Sequence, residues 1–364
     1  MERPILASID TTALEHNLNQ VRRLVGNAHI WSVVKARAYG HSLRAALKGL
    51  SKTDGFALLD IDDARWLREQ GWTGRLLLLE GLFRYEDLAS AHDLGCDLVV
   101  HREEQLDWLE DAKKTSLKLF LKLNSGMNRL GFLPEAYRLA FHRLHALGYS
   151  VNHLSHFANA DRVDRSPSVG DQMECFTQTI EGLPSGETCL ANSAAILWHR
   201  NALGDWVRPG IMLLGISPTG IAQDIAHAGL KPVMTLSSEI IAVQDLKAGD
   251  CVGYGGRYQA KQAMRMGVVA CGYADGYPRH APDGSPVWVY GKSLEQTGVI
   301  CPLAGQVSMD MITVDLTNAP WAQVGYRVEL WGRHLPVDDV AIKSQTIGYE
   351  LVCAIAPRVP VEII

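Results

Sequence analysis

A TIM-type (β/α)8 barrel of the α/β class, followed by a β-rich C-terminal domain, is the fold this sequence predicts, and three observations predict it. Through the first two thirds of the chain, short apolar runs alternate with amphipathic segments or turn-rich loops. Parallel strands need a crossover between them, usually a helix, so the alternation implies a parallel sheet. The runs number eight, near 30–35, 54–60, 75–80, 97–101, 117–123, 151–157, 187–192 and 205–214. Eight such units close into a barrel whose chemistry sits at the carboxyl ends of the strands. Composition then shifts: residues 216–232 hold Pro, Gly and small polar residues and read as a connector, beyond which β-type runs alternate with turns. The expected division is a barrel domain over 1–225 and a β-rich domain over 226–364.

Taken in order, residues 5–10 read as a strand. Thr12-Ala13-Leu14-Glu15 is a capping-box signature, and Leu14, Leu18, Val21 and Val25 recur at helical spacing until Gly26-Asn27 stops the helix. The clearest later helices fall at 61–70, 85–94, 102–114, 134–147 and 171–181. After the connector, β-type runs lie at 235–243, 266–271, 287–290, 311–316 and 327–330, with turns at 247–250, 282–284 and 291–292. One helix is expected from Asp338 towards Ala354.

With 364 residues, 47% of them hydrophobic and 21% charged, the chain is ordinary for a globular protein of two domains. A formal net charge of -5 and the lack of a dense Lys/Arg cluster argue against nucleic acid as a partner. The start, Met1 to Asp10, has no basic segment before a long apolar core, so no signal peptide is expected. No apolar run is long enough to span a bilayer, so no membrane is expected either. The seven cysteines (96, 175, 189, 251, 271, 301, 353) are scattered and form no Cys-x-x-Cys pair. Reduced thiols in the cytoplasm and no metal site are the expectation.

The stretch that carries most chemistry is Val33 to Ser42. A buried strand, His29 to Val34, delivers Lys35 to its carboxyl end, where the chain breaks into a turn with Tyr39 and Gly40. A lone lysine there more often snorkels out to water. Held inside, its pKa falls, which is what an amine needs to attack a carbonyl. Polar residues also close other strands: Lys122 the fifth, His156 the sixth, Asn192-Ser193 the seventh, with Arg208 in the eighth before Pro209-Gly210. Strand interiors otherwise exclude lysine and arginine, so five such ends in one barrel mark a cavity at its mouth. Barrels commonly bind phosphate with the loops after strands seven and eight. Those places hold Ser193, a hydroxyl donor, and Gly210-Ile211, whose backbone amides are accessible. Lys122 and Arg129 read, on their own, as two cations that grip a phosphate or a carboxylate.

Lys35, Ala36, Ala38, Tyr39, Gly40 and His41 resemble the pyridoxal-phosphate lysine motif of the alanine racemase family, with Arg37 and Ser42 where its usual form has Asn and Gly. The resemblance runs from Ile9 to Pro360 and is most specific around Lys35, Arg129, Arg208, Tyr254 and Tyr273. It departs at Asn124-Ser125, where Asp-Thr is more frequent, and at Leu214, where a tyrosine is usual.

The resemblance implies pyridoxal 5'-phosphate as cofactor and interconversion of L- and D-alanine by two bases, Lys35 for the D-enantiomer and Tyr254 for the L-enantiomer. Racemisation needs a base on each face of the α-carbon, and one lysine covers only one face. It further implies that Tyr39, Tyr349, Asn192, Ser193, Gly210 and Ile211 hold the phosphate end, that Arg208 faces the pyridine nitrogen, and that His156 orients Arg208. Lys122 is then a lysine that can be carbamylated and so orient Arg129 towards cofactor and substrate. Tyr273, Met309 and Asp310 match the substrate-pocket and gate segments. A homodimer with shared active sites and a role in D-alanine supply for the bacterial wall complete what it implies. Competing readings are a serine or broader amino-acid racemase of the same fold, a basic amino-acid decarboxylase, and a non-catalytic pyridoxal-phosphate-binding protein. Decarboxylases of this architecture usually place a carboxylate at the pyridine nitrogen, and a non-catalytic carrier needs no Tyr254.

Overall fold

A computed structural model describes residues 3–113, 116–291 and 297–364. Residues Met1 and Glu2, the last residue of the helix expected over 102–114, and Lys292 of the expected turn lie outside these. The chain forms two compact units, one of residues 18–38 and 50–213, the other of 1–17, 39–49 and 214–364. Among the described residues, no helix is long and apolar enough to cross a membrane.

Strand β1 (Leu6–Ile9) is followed by eight short strands: β2 (His29–Val33), β3 (Gly55–Leu58), β4 (Arg75–Leu78), β5 (Cys96–Val100), β6 (Lys118–Lys122), β7 (Ser150–Leu154), β8 (Thr188–Asn192) and β9 (Trp206–Arg208). β2 to β9 pair in sequence order and close on themselves through β9 and β2. Every one of these pairings is parallel. The expected (β/α)8 barrel is therefore present, and each expected apolar run supplies one of its strands. Strand interiors such as Leu76-Leu77-Leu78 and Leu119-Phe120-Leu121 are buried, as a sheet covered on both faces requires. The eighth run is shorter than expected, because Pro209-Gly210 ends the strand and a 3-10 turn, Ile211–Leu214, takes the rest.

The amino-terminal end of the barrel is plugged. Arg75, first in β4, lies over the rings of Trp31 and Trp206, 5.1 and 4.5 Å from their centroids, and pairs with Asp97 and Glu187. An arginine can stand half-buried there because its plane stacks on the indoles while two carboxylates take its donors. Chemistry is left to the opposite, carboxyl end.

The other unit is a sheet. β10 (Met234–Leu246) pairs with β1 and with two later strands, β13 (Met264–Val269) and β17 (Arg327–Trp331). β11 (Cys251–Val252) and β12 (Tyr258–Gln259) form a separate hairpin. β14 (Pro286–Val289) pairs with β15 (Val299–Pro302) and β17, and β16 (Ile312–Asp315) pairs with β13. The short β18 (Val361–Ile363) runs parallel to β1.

Three expectations are corrected. The helix Thr11–Val25 is capped by Asp10, whose Oδ1 accepts the Thr12 and Ala13 N–H groups and the Thr12 hydroxyl; Thr12 is not the cap. The single helix expected from Asp338 is two, Val337–Lys343 and Gly348–Cys353, separated where Gln345 takes a φ of 55°. The expected connector also contains a short helix, Ala222–His227.

Candidate active site

Within the barrel unit, the polar residues expected at strand ends do gather at the carboxyl mouth. Lys35 stands just beyond β2, half-buried, and the Val34 N–H before it still donates to the Ala57 carbonyl oxygen. Lys122 ends β6, His156 follows β7, Asn192 ends β8 and Arg208 ends β9. β8 and β9 are in register at Asn192 and Arg208.

Arg208 is buried and fixed by its two terminal nitrogens. Nη1 donates to Cys189 O at 2.8 Å and approaches Cys189 Sγ at 2.9 Å. Nη2 donates to Ser155 O at 2.7 Å and Leu190 O at 3.0 Å, and meets His156 Nδ1 at 3.1 Å. A guanidinium can only donate, so Nδ1 is the acceptor and the imidazole carries its hydrogen on Nε2. Burial, and then the charges of Arg208, Lys122, Arg129 and Lys35, push His156 well below the usual histidine pKa, which keeps it in that neutral form. Nε of Arg208 is used by none of these bonds.

Lys122 is 9% exposed, and burial together with the Arg208 and Arg129 charges lowers its ammonium to about 8, against the opposing pull of Glu80. It lines a recess with Asn124, Ser125, Met127, Arg129, Leu130 and His156. Arg129 itself is exposed on the loop after β6. Asn124 shapes that loop: its Oδ1 accepts the Gly126 and Asn128 N–H groups at 3.1 and 3.0 Å. The asparagine found where the family more often has aspartate thus keeps the acceptor that closes the turn.

Ser193 begins the helix Ser193–Trp198, which Asn192 caps through Oδ1 to the Ala195 N–H. Ser193 Oγ accepts the Gly210 N–H at 3.0 Å, so Gly210 gives its amide to the serine, and the serine hydroxyl hydrogen remains to be donated. Of Gly210-Ile211, it is the Ile211 amide that is left as a backbone donor.

The turn after Lys35 has a form the sequence did not disclose. Ala36, Arg37, Ala38 and Tyr39 all have φ between 52° and 56°, one turn of left-handed helix without a glycine. Tyr39 belongs to the other unit, where its ring lies 6.3 Å from that of Tyr349. The two tyrosines expected to serve one phosphate are therefore neighbours. Burial pushes the Tyr39 phenol above its usual pKa, so it stays a hydrogen donor.

In that same unit, Tyr254 opens a 3-10 turn and is 77% exposed. Tyr273 and Met309 are also exposed, and their loops are tied together by Tyr273 N–H to Ser308 O and Ala274 N–H to Met309 O, each 3.0 Å. Buried Asp275 accepts from Arg358 Nε at 2.7 Å and Arg3 Nη2 at 3.0 Å, and Arg358 reaches on to Asp310 at 2.8 Å. The residues expected at the substrate gate thus stand on one ion-pair network. Arg3, Asp275 and Arg358 were not anticipated, since single charges in loops give no periodic signal.

The donor set at the barrel mouth fits pyridoxal phosphate. Lys35, Lys122, Arg129 and Arg208 are close enough to act on the same buried groups, with Glu80 the opposing charge acting on Lys122. Such a cationic mouth suits an anionic ligand, and a hydroxyl and an amide at Ser193 and Ile211 suit a phosphate.

Comparison with known proteins agrees. The family model "Alanine racemase, N-terminal domain" matches residues 9–218 and "Alanine racemase, C-terminal domain" matches 233–363. An alanine racemase of Burkholderia mallei is 53% identical over 365 aligned residues, covering 99% of both chains. The biosynthetic alanine racemase of Pseudomonas aeruginosa superposes with a TM-score of 0.93 at 42% identity, over 100% of this chain and 99% of that one. The Bartonella henselae alanine racemase with covalently bound pyridoxal phosphate superposes with a TM-score of 0.88 at 25% identity, covering 99% of each. Matched along both halves and at half its positions, the chain belongs to the alanine racemase family.

Proposed function

We propose a division of labour among this chain's residues for the activity that goes with the family. The chain is a racemase that interconverts L- and D-alanine, and its cofactor is pyridoxal 5'-phosphate. When bound, pyridoxal phosphate supplies an electron sink that acidifies the α C–H bond of the amino acid joined to it.

Lys35 would hold the cofactor, and its amine would move the α-proton on one face, with the Tyr254 phenol moving it on the other. Ser193, Ile211, Asn192, Tyr39 and Tyr349 hold the phosphate. The bonds of Ser193 support this, because its oxygen already accepts the Gly210 and Met212 N–H groups and its hydroxyl hydrogen is left to donate. Gly210 contributes by fixing Ser193. Arg208, held by Cys189, Ser155, Leu190 and His156, would present Nε to the pyridine nitrogen. Always protonated and unable to accept, it cannot leave a proton on that nitrogen. Beside such a donor the cofactor would be a shallow electron sink, which would favour return of the proton to the α-carbon over transamination. Lys122, as a carbamate, would pair with Arg129 and turn it towards the substrate carboxylate. Tyr273, Met309 and Asp310 border the substrate.

Tyr254, 77% exposed in one chain, is the natural candidate to complete the site of a second copy, so we read the active form as a head-to-tail homodimer working in the cytoplasm. No nucleic acid or membrane enters this reading.

The observation that carries the assignment is Arg208, buried among four acceptor residues with its Nε unspent. The test is chiral chromatography of a panel of amino acids after incubation with the holoenzyme, followed by borohydride treatment and peptide mapping. Alanine should racemise fastest, and the cofactor should be fixed to the peptide containing Lys35. Faster serine turnover would move the substrate, and label on another lysine would overturn the role of Lys35.

A further inference from the structure

One buried polar side chain outside the assigned set joins the segments that carry them. Gln172 lies in the helix Val169–Ile180 and is 0% exposed. Its Oε1 accepts the Ala158 N–H at 2.8 Å, and its Nε2 donates to His156 O at 3.0 Å and Ser125 Oγ at 3.1 Å. The chain of donors continues in one direction. Ser155 Oγ donates to Leu123 O at 2.9 Å, so in the 2.7 Å contact between the two serines it is Ser125 that donates to Ser155. Ser125 Oγ must then accept from Gln172. Turning the amide over would set NH2 against the Ala158 N–H and oxygen against the His156 carbonyl, so its orientation is fixed.

All three partners of Gln172 lie on the two loops that follow β6 and β7. Those loops carry Arg129 and His156. The other side of the 155–158 segment faces Arg208, whose Nη2 bonds to Ser155 O and His156 Nδ1. Packing alone does not account for a glutamine here. A buried amide is costly unless its partners are all in place, and a methionine of similar length would fill the space without that demand.

We propose that Gln172 is a positioning residue for the racemase: it holds the 155–158 segment so that Ser155 O and His156 Nδ1 meet Arg208, and through Ser125 it keeps the loop after β6 in step. This rests on the reading of Arg208 given above.

The test uses holoenzymes of the parent, Gln172→Met, Arg208→Glu and the double variant. Two quantities are measured: the ratio of side transamination to racemisation, and amide hydrogen exchange in the peptide containing Ala158. Arg208→Glu should raise transamination, because a carboxylate holds a proton on the ring nitrogen. Gln172→Met should raise it several-fold in the same direction and speed Ala158 exchange by roughly tenfold, as expected for one lost buried hydrogen bond. The double variant should match Arg208→Glu alone, since both act through one group. Gln172→Glu keeps the size and the acceptor for Ala158 but opposes a carboxylate oxygen to the His156 carbonyl. It should shift the ratio similarly, and it decides the matter if the Met variant does not fold.

If Arg208→Glu shifts the ratio and neither Gln172 variant does, the proposal fails alone. Additive effects in the double variant would also overturn it, by showing that Gln172 acts elsewhere. If Arg208→Glu leaves the ratio unchanged, the reading of Arg208 fails and the proposal with it.

Discussion

Lys122 shows most directly how residue chemistry follows from placement. Its ammonium is lowered to about 8, chiefly by burial and then by Arg208 and Arg129. Roughly a tenth of such amines are neutral at pH 7, against less than one in a thousand for an ordinary lysine near 10.4. The neutral amine is the form that adds carbon dioxide, and a carbamate formed there would be an anion between cations. The stability consequence has a definite sign. The folded pKa lies below the unfolded one, so the unfolded chain binds more protons between about pH 8 and 10.4, and stability rises with pH across that window. In carbon-dioxide-free buffer at pH 7, Lys122→Met should therefore unfold at higher urea than the parent, by up to about 3 kcal/mol, with the gap closing by pH 10. Added bicarbonate should reverse the order if the parent is carbamylated. A parent whose urea midpoint ignores bicarbonate would remove the carbamate from the account. At this scale the sequence was legible where charge broke a rule: Lys35, Lys122 and Arg208 stand out because strands exclude them. Gln172 was not, because an amide on an amphipathic helix reads as surface.

At the scale of elements, the barrel was readable because each strand is an unbroken apolar run bounded by turn residues. What could not be read was hand. Residues 36–39 contain no glycine, yet all are left-handed, at roughly 1–2 kcal/mol each. That strain must be met by surrounding contacts. Gly40 shows the tightest of those contacts. Its φ is +78°, and a Cβ there would lie 2.0 Å from the Val352 carbonyl oxygen. Gly249 has a φ of +93° with nothing within 4 Å, so Gly249→Ala tests backbone hand alone. That change should cost roughly 1–2 kcal/mol. Gly40→Ala should cost distinctly more, above about 2 kcal/mol, read as a lower urea midpoint at an unchanged slope. Equal midpoints for the two variants would show that the Val352 carbonyl yields easily. The misread cap has a similar origin: Thr12 and Asp10 both fit a cap, and only the hydrogen bonds choose Asp10.

At the scale of the whole molecule, sequence order misleads about partnership. β1 comes first in the chain yet pairs with β10 and β18, because a four-residue apolar strand carries no mark of which sheet will take it. The same holds for the proposed catalytic pair: the resemblance names Lys35 and Tyr254, but whether one chain or two supply a site is not read from sequence. If each site is shared between two copies, two dead variants can rescue each other. Lys35→Ala and Tyr254→Phe, unfolded together and refolded, would form mixed dimers in which one site lacks both groups and the other keeps both. The intact site should turn over at the parent's rate per site. With random pairing about half the dimers are mixed and each has one good site, so the mixture should recover roughly a quarter of parental activity. If each chain builds its own site, every site in the mixture lacks one group, and activity stays at the level of the single variants. Losing a catalytic acid or base typically costs about a hundredfold or more, so the two outcomes are well separated. Heterodimers must be shown to form, by tagging one variant and recovering the other with it. Tagged heterodimers as inactive as their parents would rule out the shared site and return Tyr254 to the chain that carries it.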